Sequence, residues 1–311
     1  MKAAVYDHYG PPEVVRLEEI RKPAPAEGEL LVKVRAATVA AGDWRMRKAD
    51  PFLARLYNGL FKPRRVRILG FELAGEVEAV GRAVRRFRPG DHVFAFTGFG
   101  FGAHAEYRCL AESGRITKVG LVAHKPANMS FEQAAAVPVG GLTAQGFLRR
   151  AGVRAGERVL VYGASGSVGT FAVQLARNLG AQVTGVCSTV NVALVKSLGA
   201  DDVIDYTREE FTSRGRTFDV VFDAVGKCPA SRARLVLKKG GRLVSVNGSP
   251  RFEQGDLDRL RSLIEEGKLT SVIDRQYPLE QIVEAHRYVE AGHKKGNVVV
   301  TVAHGVHPAG R

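Results

Sequence analysis

Apolar positions along this chain change period near residue 130. Before that point, runs at residues 2–7, 14–20, 29–38, 71–80 and 91–97 read as strands, set apart by Gly10-Pro11-Pro12, Pro23-Ala24-Pro25 and the turn Arg88-Pro89-Gly90-Asp91. The first part is therefore β-rich. Residues 50–61 interrupt it: Leu53, Leu56, Tyr57 and Leu60 fall on one face of a short helix, expected to pack on this domain rather than on a membrane. Beyond Ser130, where a helix starts, the pattern alternates. A helix at 142–150 leads into strands at 158–162, 182–187, 202–205, 220–223 and 242–247, and strands separated by helices imply a parallel sheet. A helix at 279–290 and a strand at 297–302 follow too late to continue that sheet simply, and residues 304–311 read as a frayed tail.

The clearest periodicity lies in residues 158–180, RVLVYGASGSVGTFAVQLARNLG. A short β-branched strand meets a glycine turn in which Ala164, Gly166 and Gly169 fill the G-x-G-x-x-G spacing with Ala in first place. Val168, Phe171, Ala172, Leu175, Ala176 and Leu179 then make one apolar helical stripe, closed by Gly180. This predicts a dinucleotide site: Gly166 admits a pyrophosphate, Gly169 seats the helix on its strand, and the helix N-terminus favours the anion. In NAD-type sites an acid stands about 20 residues beyond the glycines. Here residues 183–191, VTGVCSTVN, hold only neutral groups, which do not repel a 2′-phosphate, so NADPH is favoured over NADH; Lys196 and Arg208 could approach it.

A chain of 311 residues is comfortable for two domains, and 45% hydrophobic with 25% charged residues is ordinary for a globular protein. No run approaches the roughly 18 apolar residues of a membrane span, so a membrane partner is not expected. The first residues, MKAAVYDHYG, enter structure directly, which sets a cytoplasmic expectation. Net charge is +14, spread along the chain except for Lys62-Pro63-Arg64-Arg65-Val66-Arg67. A solvated basic surface or attraction of an anionic cofactor both account for it, and without interleaved aromatics a nucleic-acid partner is not favoured. Cys109, Cys187 and Cys228 are too far apart for a metal knuckle and read as buried thiols. His92, His104 and His124 lack ligand spacing and read as surface or capping residues.

Several ordered segments resemble the medium-chain dehydrogenase/reductase superfamily, in its zinc-independent quinone oxidoreductase branch. They are GDW at 42–44, GFELAGEVEAVG at 70–81, RFRPGDHVFA at 86–95, AEY at 105–107, KPANMSFEQAAAVPVGGLTA at 125–144, GASGSVG at 163–169, CSTVN at 187–191, LGADDVIDY at 198–206 and GHKKGNVVVTV at 292–302. The resemblance implies an α/β chain: a GroES-like β-barrel catalytic domain (1–124), a Rossmann doubly wound parallel sheet binding NADPH (125–276) and a C-terminal return to the catalytic domain (277–311). The active site is implied in the cleft between the two domains.

The same comparison implies the site residues. Where zinc alcohol dehydrogenases of the superfamily hold their catalytic metal, this chain has Ala40, Phe71 and Gly140, none a ligand, so no zinc is expected. Without a Lewis acid, the implied reaction is hydride transfer from NADPH to a quinone or α,β-unsaturated carbonyl. Arg45 is a candidate to stabilise a developing oxyanion, and Asp43 is read as a catalytic-site or loop-fixing acid. Trp44, Phe71 and Phe96, with Phe99 and Phe101, would wall an apolar pocket. Ser165, Gly166, Ser167 and Val168 would hold the pyrophosphate, Ser188 and Asn191 the 2′-phosphate, and Tyr206 the adenosine end. Thr143, Val225, Gly226 and Asn247 would lie toward the nicotinamide, with Asn297 a further contact. Only residues 249–256 separate the last sheet strand from the helix at 257–266, where the family inserts another strand and helix. A five-stranded sheet follows, and with it a monomer or a differently built homodimer. The alternative function is a non-catalytic NADPH-binding scaffold or an RNA binder, for which the +14 charge is the only support.

Overall fold

The computed structural model describes residues 1–304, and the chain divides into two units: Met1–Pro138 with Ile273–Arg311, and Val139–Val272. In the first unit β1 (Lys2–Val5) pairs antiparallel with β2 (Arg16–Glu19). The long strand β3 (Glu29–Val39) is followed by β4 (Glu72–Val80), β5 (His92–Phe96), β6 (Tyr107–Ala111) and β7 (Leu121–His124). Its helices are α1 (Ala41–Lys48) and the short α2 (Ala54–Asn58), α3 (Ile116–Val119) and α4 (Phe131–Ala135). Ser130 caps α4 by accepting from the Gln133 N–H, 3.2 Å away. Because α4 packs on β3, β4 and β5, residues 125–138 belong with the first unit and not with the nucleotide domain to which the sequence assigns them.

The second unit opens with α5 (Pro138–Ala151), and β8 (Arg158–Tyr162), α6 (Ser167–Asn178) and β9 (Gln182–Cys187) follow. Next come α7 (Val192–Ser197), β10 (Asp202–Asp205), β11 (Phe218–Asp223), α8 (Ala230–Leu235), β12 (Leu237–Ser245) and α9 (Asp256–Glu265). The sheet is parallel, five-stranded and ordered β10-β9-β8-β11-β12, as the shortened sequence implies. Val159, Leu160 and Val161 of β8 and Val220, Val221 and Phe222 of β11 are buried, the continuous apolar run that a sheet covered on both faces requires.

The chain then returns. Strand β13 (Ile273–Pro278), α10 (Ile282–Glu290) and β14 (Asn297–Thr301) complete a seven-stranded sheet of order β13-β14-β3-β4-β5-β7, with β6 also on β3. β13, pairing with β14, shifts the second boundary to residue 273. Buried Val32, Val34, Leu73, Val93, Val298 and Val300 form the core of this unit together with Ile282, Ala285 and Val289 of α10.

Three expectations need correction. In residues 50–61 only Ala54–Asn58 is helical, and Leu53, Leu56, Tyr57 and Leu60 face solvent instead of the domain; the buried residue is Asn58. Cys187 is buried, but Cys109 and Cys228 are half-buried. Burial pushes all three thiols up to about 11, which keeps them protonated and weakly nucleophilic at neutral pH. His104 is neither a surface nor a capping residue: it is buried, its Nε2 lies 2.9 Å from the Thr38 carbonyl, and its ring meets His286 edge-on. The expected tail, 304–311, lies outside the described residues apart from His304, whose Nε2 is 2.7 Å from the Val34 carbonyl.

Within the second unit, fully buried Asp256 joins α9 to α5. Its carboxylate accepts from Gln145 Nε2 (2.6 Å), Arg149 Nη2 (2.5 Å), Arg259 Nη2 (2.7 Å) and the Glu253 N–H (2.7 Å). Desolvation raises its pKa, but Arg149, the Glu253 N–H and Arg259 outweigh it and hold the carboxyl below the usual range. The folded pKa is thus below the unfolded value of about 4, so this stabilisation is complete above that pH and is lost as pH falls through the folded value. Asp256→Ala is expected to cost about 1–3 kcal/mol at pH 7, because Gln145, half-buried Arg149 and the Glu253 N–H lose their acceptor while Arg259 stays exposed to water. In thermal melts, the gap to the parent should narrow as the pH drops below about 4.

Candidate functional site

The turn after β8 is built on its neighbour strand: the N–H groups of Gly163 and Ala164 both donate to the Val186 carbonyl, at 3.1 and 3.0 Å. Gly163 takes φ 79°, and the Gly166 N–H closes the turn onto the Gly163 carbonyl at 3.1 Å. A Cβ at Gly169 would stand 2.1 Å from that carbonyl, so only glycine lets α6 sit this low. Gly166 is different. Its φ of −79° suits any residue, and a Cβ there would meet nothing closer than 3.5 Å. Nothing within the turn demands glycine at 166. Gly166, which has no side chain, stands at the N-cap of α6.

The expected nucleotide contacts share the carboxyl edge of the parallel sheet, the side on which such sheets bind ligands. Ser165, Gly166, Ser167 and Val168 follow β8; Ser188 and Asn191 follow β9; Tyr206 follows β10; Val225 and Gly226 follow β11; Asn247 follows β12. Ser188 and Asn191 are joined, Asn191 Nδ2 donating to Ser188 Oγ at 3.2 Å. Tyr206 is exposed, and Thr143 is half-buried on α5. Asn247 Nδ2 donates to the Gly226 carbonyl at 3.0 Å, and Gly226 holds φ 71°. Asn297 belongs to the first unit, buried at the start of β14.

Lys196 does not join the edge. It lines a hollow with Arg177, Asp201 and Lys268, and Asp201 binds the Val183 N–H near the start of β9; Ser188 is about 16 Å further along at the strand rise. Arg208 stays at the edge, 3.5 Å from Asp205. Two acids missed by the sequence reading hold this edge together. Asp205 accepts from Thr189 Oγ1 (2.5 Å) and Thr207 Oγ1 (2.7 Å), and these bonds lower its pKa. Buried Asp223 accepts from the Gly226 N–H (2.9 Å) and Ser245 Oγ (2.9 Å), fixing the loop that carries Val225. For Asp223 the available signal was an acid ending an apolar strand, three residues before a glycine.

In the first unit Asp43 is fully buried on α1, and both oxygens are occupied: Oδ2 accepts from the Ala40 N–H and Oδ1 from the Gly70 N–H, each at 2.7 Å. Burial pushes its carboxyl up, opposed by His104 and by those two donors. Asp43 thus acts as the tie between α1 and the turn at Gly70, a positioning residue. Arg45 is exposed and lies 5.5 Å over the Trp44 ring, while its neighbour Arg47 is buried and pairs with Glu290 of α10. Phe71 stacks on Phe96 (6.4 Å) and tilts against Phe101 (4.0 Å), and Gly42 leaves the room its ring needs, since a Cβ there would stand 2.3 Å away. Phe99 departs from this wall and pairs outward with Tyr57. Ala40 and Gly140 carry no donor side chain, and among the described residues no group of three His, Cys, Asp or Glu is placed to hold a metal.

Residues 26–121 match the family described as "Alcohol dehydrogenase GroES-like domain" and residues 167–275 the one described as "Zinc-binding dehydrogenase". Over 96% of its length the chain is 36% identical to "NADPH-dependent alkenal/one oxidoreductase, chloroplastic" of Arabidopsis thaliana, covering 79% of that protein. It is 32% identical to "Quinone-oxidoreductase QR1, chloroplastic" of Triphysaria versicolor, over 96% of this chain and 98% of the other. This chain belongs to the medium-chain dehydrogenase/reductase superfamily, quinone oxidoreductase branch. Among solved structures it resembles the quinone oxidoreductase from Coxiella burnetii, at 32% identity and TM-score 0.83, over 97% of this chain and 99% of that one. It is an oxidoreductase of a nicotinamide cofactor. Both curated relatives are chloroplastic by name, so the cytoplasmic expectation has no support from them, and no helix among the described residues is long and apolar enough to cross a membrane.

The two glycines separate by experiment. Gly166→Ala should weaken nicotinamide-nucleotide binding by about tenfold or more with the melting temperature nearly unchanged. Gly169→Ala should lower both, by about 1–3 kcal/mol in stability, as overpacked sites do. Fluorescence titration and thermal melts of both variants check this.

Proposed function

We propose that this oxidoreductase reduces quinones or α,β-unsaturated carbonyls with NADPH and without zinc. The observation that carries the cofactor preference is the Ser188–Asn191 pair at the end of β9, neutral donors where an NAD-type site has its acid. Support for the acceptor class comes from the relatives' names and from the first unit's apolar wall.

When bound, the reduced nicotinamide supplies the hydride. The chain's own part is to bind and orient. First-turn N–H groups of α6 and the Ser165 and Ser167 hydroxyls receive the pyrophosphate; Ser188 and Asn191 donate to the 2′-phosphate, and Arg208 adds positive charge at that edge. Tyr206 flanks the adenosine. Thr143, Val225, Gly226 and Asn247 shape the nicotinamide end. Trp44, Phe71 and Phe96 hold a flat acceptor and exclude water, and Arg45 stabilises negative charge on its oxygen. Ala40, Phe71 and Gly140 offer no nitrogen, sulfur or carboxylate to a catalytic metal, so an electron-poor acceptor replaces the need for a Lewis acid. Strand β12 ends the sheet and carries Lys238 and Lys239, charges that discourage edge pairing, which favours a monomer or a homodimer built elsewhere.

NADPH consumption with a panel of quinones and enones should proceed unchanged in chelator; chelator-sensitive alcohol oxidation would refute the metal-free reading. NADPH should bind more tightly than NADH. Ser188→Asp should reverse that order, reducing NADPH affinity by about tenfold or more through carboxylate–phosphate repulsion. Equal affinities in the parent would overturn the assignment of Ser188 and Asn191.

A further inference from the structure

Residues 52–61 turn the usual arrangement inside out. Phe52, Leu53, Leu56, Tyr57, Leu60 and Phe61 are all exposed, with Leu56 at 71% and Phe61 at 86%, while the amide Asn58 among them is 1% exposed. That exposure comes from firm construction. Asn58 Nδ2 donates to Tyr6 Oη (2.8 Å) and the Val66 carbonyl (3.2 Å), and its Oδ1 accepts from the Val66 N–H (2.7 Å). Tyr9 Oη donates to the Gly59 carbonyl (2.7 Å), and Tyr57 Oη to that of Phe99 (2.8 Å). Polar anchors point in, and apolar side chains are held out in water. Exposed hydrophobes scattered singly need no explanation, but six within ten residues do.

The charge around them says what they fit. Arg55, Lys62, Arg64, Arg65 and Arg67 surround the patch, and among the described residues none of them has a carboxylate within ion-pair distance. Elsewhere the arginines of this chain are commonly paired, as Arg214 and Arg216 are with Asp202 and Arg232 is with Glu210. Arg55 lies over the rings of Tyr9 and Phe52, and Arg65 over Tyr57, so these cations stand beside the apolar groups on one surface. Apolar side chains ringed by unpaired cations match a surface that is negative outside and hydrocarbon beneath.

We propose that residues 52–67 form a docking surface for anionic lipid membranes, inserting Leu56, Leu60 and Phe61 below the headgroups while Lys62, Arg64 and Arg67 meet the phosphates. The chain lies on the membrane and does not span it. This does not rest on the reductase reading.

Vesicle co-sedimentation tests it, with phosphatidylcholine alone and with about 30% phosphatidylserine at low and high salt. Binding is expected to the anionic vesicles only and to weaken as salt rises. Leu56→Ser with Phe61→Ser, and separately Lys62→Glu with Arg64→Glu, should each lower the partition coefficient by about tenfold or more. All four positions are exposed, so both double variants should melt like the parent, showing that any loss is not unfolding. No binding to anionic vesicles, or binding by both double variants at the parent's level, would overturn the proposal. So would a dimer in sedimentation that Leu56→Ser with Phe61→Ser dissociates, for the patch would then belong to a second copy of the chain.

Discussion

The nucleotide half depends on one close contact, the seat of α6 on the carbonyl of Gly163. With no side chain at Gly169, the helix starts directly above the turn; the turn is fastened to β9 by two N–H groups on the Val186 carbonyl. The helix N-terminus is thereby fixed relative to the carboxyl ends of β8 and β9. Everything that would hold a pyrophosphate and a ribose follows from that position, because the first-turn N–H groups and Ser188 are set by the same pair of strands. A raised helix would leave the strands intact and remove the anion's partners.

Buried single acids and amides do comparable work at other turns. Asp43 ties α1 to Gly70, Asp223 gathers the loop after β11, and Asn58 closes the segment between α2 and Val66. Each satisfies backbone donors in irregular segments that no ladder can serve. His286 shows the reverse case, buried with no hydrogen-bond partner at either ring nitrogen among the described residues. Burial, with His104 and Arg47 close by, lowers its pKa well below the ordinary value, so it stays neutral.

How much of this could be read beforehand depended on burial. β8, β9 and β10 lie where the β-branched runs put them, since strands covered on both faces admit little else. β13, IDRQYP, was not anticipated, because an edge strand with exposed Arg275 and Gln276 has no apolar run to announce it. α1 was missed as well: AGDWRMRK has no apolar stripe, and α1 is anchored by Asp43 and Arg47, polar groups whose partners lie far along the chain. The glycine turn revealed its ligand class, but the direction of α7, which takes Lys196 to the wrong end of the sheet, could not be read from spacing. Likewise, Leu53, Leu56, Tyr57 and Leu60 would share a stripe whether that stripe met protein or water. Periodicity finds a face without saying what covers it.

The rigidity of that segment bears on the cost of ordering. Loops that insert apolar residues into a second phase commonly lose backbone freedom when they do so, and that loss subtracts from the transfer free energy. Asn58 has already removed it here, because the bonds to Tyr6 and Val66 exist in the isolated chain. Contact with a second phase would then lose little further entropy, so even a shallow apolar insertion could keep most of its free energy. A single buried amide sets how much of the surface hydrophobicity remains available for association.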